Sequence, residues 1–129
     1  LESLLAAAKE EAATAAMGAV VTFEGIVRDH DGGRANVTLL SYSAHPSAPE
    51  KLQEVTDSVA ANHPVRLWAA HRTGDLKVGD LAFAVVAAAA HRGDAFRAAE
   101  ECADRVKAEV PIWKEQSHGD GSPNWVGLE

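Results

Sequence analysis

Apolar positions along the chain switch between two periods, and the switches predict the elements. In Leu1–Ala16, Leu4, Leu5, Ala8 and Ala12 share one helical face among Ala, Leu, Lys and Glu, with neither Pro nor Gly, so a helix is expected that stops near Gly18. Gly18–Arg28 (GAVVTFEGIVR) is β-branched and apolar and reads as a strand running into a turn at Asp29–Gly33. Asn36–Tyr42 resumes strand character, which suggests a hairpin with a long loop. Pro46–His63 carries Leu52, Val55 and Val59 at steps of three and four and predicts a second helix, ended by His63-Pro64. Val65–Ala70 is a short strand, and His71–Asp80, with two glycines, reads as a turn-rich connection. Leu81–Ala90 (LAFAVVAAAA) is a continuous apolar run, expected to be a central strand covered on both faces, with a buried helix as the rival reading. Asp94 is placed to cap a third helix whose stripe is Phe96, Ala99, Ala103, Val106 and Val110, and Pro111 stops it. Ile112–Glu129 is left as a tail. Strands and helices interleave, which gives an α+β or α/β fold with helices packed on a mixed sheet.

Composition narrows the class. The 129 residues fit a single domain, residues 1–129, and 47% apolar with 24% charged residues is the balance of a folded globular chain. A net charge of −7 argues against nucleic acid as a partner, since such binding neutralises phosphates, but leaves room for a small phosphorylated ligand held by a few local bases. Cys102 is the single cysteine, so there is no internal disulfide and no cysteine zinc site, and a reducing cytoplasm is the expected compartment. Leu81–Ala90 is too short to span a bilayer, and the first residues lack the order of a signal peptide.

Candidate chemistry concentrates on basic residues. His91-Arg92-Gly93-Asp94 joins the end of the apolar strand to a helix start, where unpaired amides and a guanidinium together suit an anion; the alternative is two solvated loop residues. Lys107 flanks the apolar stripe and Lys114 follows Trp113, so each is either a lysine primed for proton transfer or a surface lysine lying along apolar neighbours. Arg28, with His30, closes a strand and can add a base to an anion site or remain a surface charge. His71-Arg72 reads as structural, with Arg72 pairing an acid in the following turn. The six histidines show no metal-ligand spacing, and phosphate-loop, dinucleotide and nucleophile-elbow motifs are absent. Cys102 reads as a small core residue rather than a nucleophile.

Four blocks in order carry a resemblance. Val21-Thr22-Phe23-Glu24-Gly25-Ile26-Val27-Arg28 with its Asp-Gly-Gly turn resembles the N-terminal block of the molybdopterin synthase large (catalytic) subunit family. His71-Arg72-Thr73-Gly74-Asp75-Leu76 followed by Val78-Gly79-Asp80 resembles that family's central block. Ala90-His91-Arg92 with Phe96, and Lys107 followed by Pro111-Ile112-Trp113-Lys114, resemble its C-terminal blocks. The match runs from about Gly18 to Trp125.

The resemblance implies an α/β-hammerhead-like fold with flanking helices and a small extra β subdomain. It implies sulfur transfer from the thiocarboxylated C-terminal glycine of a small ubiquitin-like subunit to cyclic pyranopterin monophosphate, forming the dithiolene of molybdopterin without a metal or added cofactor. Two large subunits would form a central dimer within a heterotetramer. Lys107 would be the principal catalytic lysine and Lys114 the second. Arg28, His91 and Arg92 would hold phosphate and pterin, Ile26 and Val27 would line the wall beside Arg28, and Glu115 and Gln116 would border the substrate. The chain departs from the family pattern in two places among others: the family follows Trp-Lys with a further basic residue and then Glu, whereas this chain reads Trp113-Lys114-Glu115-Gln116, and the family's Tyr-Glu-Ala-Tyr segment with a later Met-Ala reads here as Tyr42-Ser43-Ala44-His45 and Ala48-Pro49. The altered Glu115-Gln116 run motivates the competing reading, a non-catalytic relative that binds an anionic metabolite or a partner's tail.

Overall fold

In a computed structural model, residues 1–28, 37–118 and 123–126 are described; 37–38, 116–118 and 123–126 are placed by backbone alone. The elements in chain order are α1 (Glu2–Ala12), β1 (Ala19–Ile26), β2 (Val37–Ala44), α2 (Ala48–Asn62), β3 (Val65–His71), β4 (Gly74–Lys77), β5 (Leu81–Ala89), α3 (Arg92–Glu109), β6 (Ile112–His118) and β7 (Pro123–Val126). The α+β class is as expected. Every described strand pairing is antiparallel, so instead of one mixed sheet there are two antiparallel ones, of order β1-β5-β3 and β4-β2-β6-β7.

The apolar run forms β5, the centre of the first sheet, and the buried-helix reading fails. Alanine is a poor strand former in isolation, but here both faces are covered and tertiary packing overrides propensity. Val85, Ala87 and Ala89 face the cluster built with α2 and α3, while Ala84, Val86 and Ala88 face α1 through Leu5, Ala8 and Ala12. The small side chains let the helices lie close, and the same demand decides which face of α3 points inward. Its buried residues are Ala95, Ala98, Ala99, Cys102 and Val106, whereas Phe96 is 58% exposed. The expected stripe through Phe96 is therefore rotated: a phenyl ring does not fit over an alanine-lined strand, and a line of small residues does. Cys102 is fully buried, and burial pushes its thiol up to about 11, so it is a core residue.

Other expectations are corrected. β1 and β2 do not form a hairpin: β1 pairs with β5 over Ala19↔Ala89 to Ile26↔Leu81, and β2 pairs with β4 and β6. A long connection does not fix a register, so the non-local demand of a buried central strand for two neighbours prevails. The expected turn at Asp29–Gly33 lies outside the described residues. The His71–Asp80 connection contains β4, whose Leu76 is 3% exposed, bracketed by Gly74 (φ +97°) and Gly79 (φ +93°) in the left-handed region that glycine tolerates. The tail is β6 and β7. Helix α3 begins at Arg92 with His91 at its N-cap, so Asp94 lies in the first turn, where it pairs with Arg97 at 2.8 Å. Arg72 is structural, but its acid is Glu2 of α1, 2.6 Å away, not one in the turn.

The two sheets meet through a small apolar cluster of Val27, Leu40, Leu76 and Ala82, against which Tyr42 packs. Backbone hydrogen bonds lock the same junction: the Val27 amide donates to the Asp80 carbonyl and the Gly79 amide to the Val27 carbonyl, at 3.0 and 2.8 Å.

Candidate active site

Strand register fixes where each candidate base lies. β1 and β5 run antiparallel, so Arg28, just past Ile26, stands beside the start of β5, while His91 and Arg92 follow its end. The ladder between them spans about 25 Å at the usual strand rise. One chain therefore does not bring Arg28 together with His91 and Arg92. Helix α3 starts at the His91 end and packs back along β5 and β1, so its last turn, with Lys107, returns to the Arg28 end. The chain then turns at buried Val110 and Ile112 into β6 and reaches Lys114. Arg28, Lys107 and Lys114 belong to one end of the molecule; His91 and Arg92 belong to the other.

Burial differs among them. Arg28, His91, Arg92 and Lys107 are exposed, and Lys114 is half-buried. Ile26 is 50% exposed and free to border a ligand, whereas Val27 is 3% exposed and its side chain packs in the junction cluster. In β6, Lys114 faces Tyr42 of β2 and Ile112 faces Ala44, so Lys114 shares the inner face with buried Ile112. Glu115, half-buried and opposite Ser41, occupies the other face. A strand reverses faces at every residue, so a carboxylate one position from Lys114 stands across the sheet from it. Gln116 is placed by backbone between Leu40 and Asn124; its side chain and His30 lie outside the described residues.

The sequence gives His71 a structural role, yet the fold sets it at the Lys114 end: its ring is stacked on Phe83 at 5.7 Å and meets Tyr42 edge-on at 5.0 Å, and Phe83 in turn meets Phe23 at 5.8 Å. Its Nδ1 lies 2.6 Å from the Arg72 carbonyl. Burial pulls the imidazole pKa below its ordinary value, the Arg72 carbonyl opposes this, and the Lys114 charge adds to the fall. At the opposite end, Arg97 of α3 is a further cation missed in the sequence; its guanidinium lies over Gly93, where an added Cβ would come within 3.1 Å of it. The i, i+3 spacing of Asp94 and Arg97 was the available signal. Among the described residues no group of His, Cys, Asp and Glu side chains could hold a metal ion, and no helix is long and apolar enough to cross a membrane.

A family model described as MoaE protein matches residues 2–109. The chain belongs to the MoaE family. It is 41% identical over 114 residues to molybdopterin synthase catalytic subunit 1 of Mycobacterium tuberculosis, covering 85% of this chain and 75% of that relative. Its structure resembles the crystal structure of molybdopterin synthase from Staphylococcus aureus, with a TM-score of 0.84 and 35% identity over 92% of this chain and 87% of that one. It also resembles a chain in the complex of subunits 1 and 2 of the molybdopterin-converting factor from Helicobacter pylori, with a TM-score of 0.76 and 26% identity over 99% and 83%. The family match takes in Arg28, His91, Arg92 and Lys107 and ends before Lys114.

Proposed function

We propose that this chain is a molybdopterin synthase catalytic subunit, which transfers sulfur from the thiocarboxylated C-terminus of a small ubiquitin-like subunit to cyclic pyranopterin monophosphate. The observation that carries this reading is the gathering of Arg28, Lys107 and Lys114 at one end of a MoaE-family fold. Sulfur transfer from a thiocarboxylate needs stabilised negative charge and a proton for a departing oxygen. Lysine ammonium groups supply both, with no metal or added cofactor. Arginine's planar fork suits phosphate, so Arg28, with Arg92 and His91, holds the substrate's phosphate and pterin, and Ile26 borders it. The small subunit's tail approaches between the lysines. The chain works in the cytoplasm, a compartment compatible with its single buried thiol.

The separation of about 25 Å along the ladder has a direct consequence for assembly. If Arg28 and the His91–Arg92 pair act on one substrate, they come from two copies, so the catalytic unit is a homodimer with a shared site at each end and a small subunit at each site.

The test is to mix the protein with substrate and thiocarboxylated small subunit and to follow the dithiolene product by mass. Sulfur incorporation is the expected result; ligand binding without it would establish the competing non-catalytic reading. The shared site makes a second prediction. Arg28→Ala and His91→Ala variants are each expected to be inactive alone. Mixed and allowed to exchange subunits, half of the dimers carry one intact site, and activity returns to about a quarter of the wild-type value by statistical assortment. No recovery would place each site within one chain.

A further inference from the structure

We propose that His71 is a positioning residue for Lys114: a locked imidazole that forms the wall against which the lysine side chain is held. The inference rests on the role given above to Lys114. Three contacts immobilise the ring. Phe83, its cross-strand partner on β5, stacks on it with an interplanar angle of 28°, and Tyr42 of β2 meets it edge-on. The third contact, 2.6 Å from Nδ1 to the Arg72 carbonyl, settles the tautomer, because a carbonyl only accepts. Nδ1 therefore carries the hydrogen, and in the neutral ring Nε2 is a bare acceptor. Tyr42 is also the direct cross-strand neighbour of Lys114, which brings lysine, phenol and imidazole to one patch of the inner face.

Burial first, and then the charge of Lys114, hold the ring's pKa below its ordinary value. Lys114 on β6 is the cation that reaches it. Arg72, next on the chain, turns its guanidinium to Glu2 of α1. Asp75 on β4 accepts a hydrogen bond from Ser41 at 2.6 Å. Phe83 on β5 and Tyr42 on β2 bring no charge at neutral pH. A protonated His71 would set a second positive charge beside Lys114 in a partly dry setting, and the two would repel. The ring thus ties the placement of Lys114 to pH.

Two measurements test this. First, the C–H resonances of His71 are followed by NMR from acid to alkaline pH in the wild type and in Lys114→Met, with no substrate present. Removal of the cation is expected to raise the His71 midpoint, and an unmoved midpoint overturns the proposal. This arm does not depend on turnover. Second, dithiolene formation is timed across the same pH range in the wild type, in His71→Phe, which keeps the stack, and in His71→Asn, which keeps the donor to Arg72. Expected are a loss in kcat of about tenfold to a hundredfold in His71→Phe with KM little changed, a smaller loss in His71→Asn, and disappearance of the wild type's acidic fall-off in His71→Phe. Losses that are equal in both variants at every pH, with a lowered unfolding temperature, would mean that His71 only supports the fold, and would overturn the proposal. A wild-type protein that makes no dithiolene while the NMR coupling is present would instead overturn the proposed function.

Discussion

Lys107→Ala is expected to abolish dithiolene formation while the protein stays folded. Lys107 sits in the last turn of α3 with its side chain exposed, and the packing of that turn is done by Val106 beside it and Val110 after it. Its loss removes a favourable cation from a helix C-terminus, worth about 0.3–1 kcal/mol at an exposed position, which thermal unfolding should barely register. Catalysis is another matter. A positioned donor aimed at charge that develops only in the transition state is worth about a hundredfold to a thousandfold in rate. Lys107→Arg should recover binding but little rate, because guanidinium keeps the charge and does not give up its proton. Single-turnover product formation, read by mass beside an unfolding curve, separates the two effects. Unchanged turnover in Lys107→Ala would remove this lysine from the chemistry.

Leu40→Ala is the substitution expected to cost the most stability. Leu40 is 1% exposed and forms, with Val27, Leu76 and Ala82, the cluster that joins the two sheets. Truncating a buried leucine costs about 2–5 kcal/mol, through lost transfer energy and the cavity left behind. A domain of this kind has only about 5–15 kcal/mol in total. Thermal unfolding should fall by roughly 10 °C. The damage should also be local: β2 carries Tyr42 and pairs with the β6 segment bearing Lys114, so sulfur transfer should decline at temperatures where the first sheet is still folded. A Leu40→Ala protein with unaltered unfolding would show that the junction is not a packed core.

How much of this was legible depended on whether the signal was local. The three helices and β5 announce themselves by period and by an unbroken apolar run. β4 does not: its four residues begin at Gly74, Gly79 follows shortly after, and only Leu76 is buried. β6 carries Trp113, Lys114 and Glu115 where an alternating strand would show apolar residues, because one of its inward positions is given to a lysine. Phe96 misled because helical spacing fixes a face only to within a turn, and the strand beneath decided the rest. The basic residues were readable as types and, through the four blocks, as a set. That they fall at opposite ends of the β1–β5 ladder was not readable, since it depends on which strands pair and in which direction. His71 escaped for the same reason: its neighbours come from β2, β5 and β6, all distant in sequence.

If Arg28 and the His91–Arg92 pair act on one substrate, the ladder that keeps them apart also makes activity a matter of mass action. A folded single chain would then hold half of each constellation, and the working unit would be a pair. Specific activity should then fall on dilution once the concentration drops below the dissociation constant of the pair, although every chain keeps its fold. A substrate that bridges the two halves would oppose that fall by binding the paired state alone. On this view the supply of substrate governs the number of working sites as well as their rate.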